Sequence, residues 1–86
     1  MKIKKELIAR NIAGDVILVP VGKAVYENNG LFALSEVGAF IWERLPAARD
    51  QEEILRAILD TYEVSEEDAR RDLDDFMEQL RELDIL

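Results

Sequence analysis

The sequence predicts an α+β domain of winged-helix-turn-helix-like type, a three-stranded antiparallel sheet followed by three helices. Three observations predict it. Before residue 35 the apolar residues fall in short stretches set between turn residues, the pattern of strands. After residue 35 they recur at helical spacing, and Ser35, Asp50 and Ser65 each stand where a helix N-cap belongs. Three short strands cannot cover their own apolar face, so the helices must pack on the sheet.

The elements follow in order. "LIARNI" (7–12) and "VILVPV" (16–21) read as two strands, joined through "AGD" (13–15) as a β-hairpin. Pro20 has no N–H for a ladder, so it marks an edge or the end of the second strand. The stretch 24–26 is open between coil and a further extended piece. "NNG" (28–30) is a turn signal, because Asn and Gly tolerate positive φ. "LFAL" (31–34) is the third strand. Ser35 caps the first helix, with Glu36 in its first turn, and Pro46 ends it. Val37, Phe40, Ile41 and Leu45 share one face of that helix, with Trp42 at its flank. Asp50 caps the second helix and forms a capping box with Glu53. Its apolar face is Ile54, Leu55, Ile58, Leu59 and Tyr62. Ser65 caps the third, with Val64 placed to staple onto Ala69. Ala69, Leu73, Phe76, Leu80 and Leu83 then form one apolar stripe.

With 86 residues, 49% of them hydrophobic and 35% charged, the chain has the length and composition of a single folded domain over 1–86. No apolar run approaches the roughly 20 residues that span a bilayer, and no signal-peptide segment follows the basic start. With no cysteine, there is no disulfide framework, and the expected location is the cytoplasm. The net charge of −8 is uneven: residues 1–49 carry +2 and residues 50–86 carry −10. Most of these charges read as solvated helix surface.

The chain lacks the side chains that most chemistry needs. It has neither His nor Cys, which removes the usual general base near neutral pH, thiol nucleophiles and zinc sites of His/Cys type. Ser35 and Ser65 are accounted for as caps. The four glycines match no phosphate-binding motif. The acids of residues 66–84 lie on a helix and do not form a calcium loop. No cofactor and no enzymatic activity are expected. A winged-helix fold raises nucleic-acid binding as the alternative function, for instance in a transcriptional regulator. The third helix would then be the reader, yet residues 63–84 hold ten acids and three arginines, which phosphates repel.

Peptide binding remains. If "LFAL" is a sheet edge, its backbone can accept a strand from a partner; otherwise the edge is merely short and capped by its neighbours. On the third helix, Arg70, Asp74, Met77 and Arg81 lie on one flank of the apolar stripe, and Asp68, Asp72, Asp75 and Gln79 on the other. The first flank reads in two ways. It is a groove wall, with an exposed-edge methionine that adapts to apolar partners and two cationic heads. Or Met77 is peripheral core and the arginines make i,i+4 pairs such as Arg70 with Asp74.

Taken together, "GLFALSEVGAFIWERL" and "EEILRAILDTYEVSEEDARRDLDDFMEQLRELDIL", preceded by the hairpin "IAGDVILVPVG", resemble the PqqD family over nearly the whole chain. The family's strand-to-helix turn often has Asn, then Thr or Pro, before its glycine. Here it is Ser35-Glu36-Val37-Gly38, which keeps the cap. The resemblance implies a non-catalytic recognition module for ribosomally made, post-translationally modified peptides. Such a module binds the leader of a precursor peptide and presents it to a modifying enzyme, often a radical S-adenosylmethionine (radical SAM) maturase. The leader adds a strand to the third strand and lies against the third helix. Carried onto this chain, the peptide site is Leu31, Phe32, Ala33, Leu34, Arg70, Leu73, Asp74, Met77 and Arg81. Leader side chains would enter near Phe32, Leu73 and Met77, and Arg70 and Arg81 would engage leader carboxylates. No nucleic acid, membrane or metal enters this reading, and both a monomer and a homodimer are compatible with it.

Overall fold

A computed structural model of the chain describes residues 1–22 and 32–86. Its elements run β1 (Leu7–Ile12), β2 (Asp15–Pro20), β3 (Phe32–Leu34), α1 (Glu36–Arg44), α2 (Gln51–Thr61) and α3 (Glu66–Glu82). The α+β order and the antiparallel sheet, in spatial order β1-β2-β3, are as the sequence predicts. The expected turn at 28–30, the stretch 24–26 and Leu31 lie outside the described residues.

The β1–β2 hairpin closes through Ala13 and Gly14, both at positive φ (53° and 89°). Two central residues of that kind make a two-residue turn whose twist matches the strands. Register follows: Leu7 faces Pro20 and Ile12 faces Asp15, and on the other side Leu18 faces Phe32 and Val16 faces Leu34. Because side chains alternate, Leu18, Phe32 and Leu34 share the face that meets the helices. Leu18 is buried in the core, and Phe32 and Leu34 pack against it. Ile17 and Ala33 take the opposite face, and Ala33 is exposed.

All three predicted caps form. The Ser35 hydroxyl accepts from Gly38 N–H at 3.0 Å, the Asp50 carboxylate from Glu53 N–H at 3.0 Å, and the Ser65 hydroxyl from Asp68 N–H at 3.1 Å. Each satisfies one otherwise unpaired donor of a first helical turn. The expected capping box closes one residue early. Glu53 reaches past Asp50 to accept from the backbone N–H of Arg49 at 3.0 Å and from its guanidinium at 2.7 Å. The staple from Val64 to Ala69 is weak, since Val64 remains 43% exposed.

α3 ends in a Schellman turn. Asp84 adopts positive φ (58°), Ile85 N–H donates to Leu80 O at 2.8 Å, and Asp84 N–H to Arg81 O at 3.0 Å. Ile85 is thereby turned into the core, and its carbonyl accepts from Lys4 N–H just ahead of β1. The ammonium group of Met1 donates to the carbonyls of Leu45 and Ala48, at the negative end of α1.

The core consists of Leu18, Ile41, Trp42, Leu45, Ala48, Ile54, Leu55, Ile58, Ala69, Leu73, Met77, Leu80 and Ile85. Two helix faces differ from expectation. Trp42, placed at the flank of α1 by spacing, is buried with Ile41 and Leu45, while Val37 and Phe40 are only half-buried. On α3 the fully buried positions are Ala69, Leu73, Met77 and Leu80. Phe76 is half-buried and Leu83 is 41% exposed. The buried sector of α3 is thus rotated toward Met77. Its cause is neighbour placement, because α3 lies more extensively along α2 than along α1.

Candidate functional site

β3 is held from behind by the core and has one edge unpaired among the described residues. Phe32 and Leu34 anchor it in the core, β2 pairs with one of its edges, and the other edge has no strand partner among the described residues. The outer edge of β1 is also unpaired there, but most of β1 is exposed, whereas β3 packs on α1. The chain passes from Leu34 through Ser35 directly into α1, so a single residue joins strand and helix start.

A groove of about 380 Å³ opens at that junction. Ser35, Val37, Gly38 and Ile41 of the β3–α1 unit line one wall, and Asp72, Asp75, Phe76 and Gln79 of α3 the other. It exists because the rotation of α3 carries Phe76 to the rim of the core. Gly38 sets its depth. A Cβ there would lie 3.3 Å from the Phe76 ring and 3.2 Å from the Ser35 hydroxyl, so only glycine allows this approach without displacement. The floor is apolar, and Asp72 and Asp75 make no hydrogen bond or ion pair among the described residues.

The opposite flank of α3 is occupied by α2. The Arg70 guanidinium meets Glu52 at 2.7 Å and Glu66 at 3.7 Å. Gln51 donates to Asp74 at 2.8 Å and accepts from Arg81 at 3.3 Å. The hydrogen bond from Arg70 holds the Glu52 carboxyl below its usual range and raises the guanidinium in return. Glu53 is held low as well, first by the Arg49 backbone N–H and then by its side chain. Among the described residues no group of three or more acids is arranged to hold a metal ion, and no helix is long and apolar enough to cross a membrane.

The sequence-predicted site therefore divides. Phe32, Ala33 and Leu34 lie on the edge strand as expected, and Leu31 falls outside the described residues. Leu73 is in the core behind the groove. Met77 is not an exposed-edge methionine: its relative exposure is 0%. Arg70, Asp74 and Arg81 face α2 rather than β3, and Arg70 pairs with Glu52 and Glu66 instead of Asp74. The other flank, with Asp72, Asp75 and Gln79, borders the groove. Helical spacing separates the two flanks but does not tell which of them meets a neighbouring helix. Val37 and Gly38 also line the groove, and the sequence signal for them is the small residue one turn into α1, beside Ser35.

The chain is similar along its whole length to the solved structure described as TbiB1 in complex with the TbiA(beta) leader peptide. The match has 31% identity, a TM-score of 0.75, and covers 100% of this chain and 94% of that one. It shares its fold with lasso peptide synthetase B1 complexed with the leader peptide, at 21% identity and TM-score 0.72, covering 94% of this chain and 89% of that one. No curated protein matches. Residues 16–86, from the start of the β2 core through the last residue of α3's terminal turn, match the family described as coenzyme PQQ synthesis protein D. With strand order, helix order and family match in agreement, the chain belongs to the PqqD family.

Proposed function

We propose that this protein is a non-catalytic adaptor that binds the leader of a ribosomally made precursor peptide and presents it to a modifying enzyme. The observation that carries the proposal is the edge of β3 that has no strand partner among the described residues, next to the groove between α1 and α3. A leader strand hydrogen-bonds along Phe32–Leu34, which supplies affinity with little dependence on leader sequence. One or two apolar leader side chains drop onto Phe76, Val37 and Ile41, which supplies selectivity. Binding restricts the leader and raises the local concentration of the core peptide at the enzyme. A radical SAM maturase is the partner enzyme that the family resemblance favours, and the cytoplasm, where precursors are made, is the place of work. The similarity to a leader-bound relative supports the reading.

Titration with the leader of the precursor encoded beside this chain, followed through backbone amides by NMR, tests it. Shifts are expected at residues 32–38 and along 72–79. Shifts that avoid both segments would refute it.

A further inference from the structure

We propose that the leader segment seated in this groove carries a lysine or arginine next to the apolar residue that fills it. The inference rests on the leader-binding reading above and adds the charge of the ligand. α3 is dense in acids, but its two flanks differ in how those acids are used. Toward α2, Glu52 and Glu66 pair with Arg70, and Asp74 takes its hydrogen bond from Gln51. Toward the groove, Asp72 and Asp75 are exposed and have no partner among the described residues. Among the described residues, no lysine or arginine lines that groove.

Three residues apart on one helix, the two carboxylates are neighbours of like sign. A cation between them relieves their repulsion and makes charge-assisted hydrogen bonds. The Phe76 ring lines the same wall, half-buried, and gives the aliphatic stem of lysine or arginine an apolar bed. Apolar floor, aromatic wall and two unpaired carboxylates together select an apolar–basic pair of residues, and they disfavour an acidic leader at this point. The expectation that Arg70 and Arg81 receive leader carboxylates is thereby replaced by one of opposite sign.

The test selects short random peptides displayed on phage against the full chain, then measures the selected peptides on variants. Lysine or arginine beside an apolar residue is expected to dominate the selected set. Those peptides should bind the Asp72→Asn/Asp75→Asn variant about fivefold more weakly at low salt, with the difference shrinking as salt is added. An Asp60→Asn/Glu63→Gln variant, equal in charge change but outside the groove, should bind them like the parent chain. Circular dichroism checks that both variants fold. Selected peptides without basic enrichment, or equal weakening on the two variants, would overturn the charge assignment and leave leader binding standing. If no peptide is selected, or if the selected peptides shift amides away from β3 and the groove, the leader-binding reading itself falls.

Discussion

Met77 separates the two readings of α3 most sharply, through its replacement by alanine. Its side chain is fully enclosed, at 0% exposure, between Leu73 and Leu80 on the buried face of α3. Truncation removes three heavy atoms. At about 0.8 kcal/mol per buried methylene-sized group, the lost transfer term is about 2.4 kcal/mol. The cavity left behind adds up to about 2 kcal/mol if the surroundings do not collapse into it. The expected loss is therefore about 2–4 kcal/mol, against a total stability of about 4–13 kcal/mol for a chain of this length. For a domain of this size that loss lowers the melting temperature by about 10–25 °C. Thermal unfolding by circular dichroism measures it. Met77→Leu, which nearly conserves volume, should cost less than about 1.5 kcal/mol. Leader affinity, measured well below the melting transition, should change little in either variant. A Met77→Ala drop of less than about 5 °C together with a lost leader affinity would refute the core assignment and restore methionine to the groove wall.

The remaining predictions concern the groove, the charges and the hairpin. Gly38→Ala should leave stability within about 1 kcal/mol of the parent, because gained helix propensity opposes crowding of Phe76. It should nonetheless weaken leader binding several-fold by displacing that ring; unchanged affinity in a calorimetric titration would argue against the groove. Since Arg70 lowers the folded-state pKa of Glu52 from its ordinary 4.5, the pair contributes stability above that ordinary value and loses it as pH falls through the lowered one. The stability difference between the parent and Arg70→Gln should therefore shrink on acidification below pH 4.5, and shrink with salt as well, both partners being about half exposed. Urea unfolding across that range reads it, and a difference that grew on acidification would contradict the pairing. Ala13→Asn should raise the urea midpoint, by about 0.5 kcal/mol in stability, because asparagine tolerates the positive φ that alanine adopts at the hairpin tip.

Local chemistry accounts for what was legible beforehand. Ser35, Asp50 and Ser65 each accept a hydrogen bond from a residue three positions on, so their helix starts depend on near neighbours in the chain. Ala13 and Gly14 turn the hairpin for the same reason, and alternation in β2 and β3 places Leu18, Phe32 and Leu34 on one face. The edge character of β3 is one of two readings of a short strand in the sequence, and the sheet order β1-β2-β3 places it at an edge among the described residues. Helical spacing offers two flanks of α3 for a groove, and the groove lined by Asp72, Asp75, Phe76 and Gln79 lies on the flank opposite Arg70 and Arg81. Glu53 illustrates the same limit at smaller scale: spacing predicts a capping box, yet a competing guanidinium and N–H at Arg49 draw the carboxylate away.

By itself the sequence determined the element order, the three caps, the hairpin turn, the family and the acidic character of α3, all set by residues a few positions apart or by the order of segments. Tertiary structure alone decided how far α3 is turned about its own axis. That rotation buries Met77, leaves Leu83 exposed, engages Arg70, Asp74 and Arg81 with α2, and opens Phe76, Asp72 and Asp75 toward the groove beside α1. The physical reason is that an amphipathic stripe specifies a face only to within about one residue's turn. The remaining angle is settled by where the larger neighbouring surface lies, which for α3 is α2.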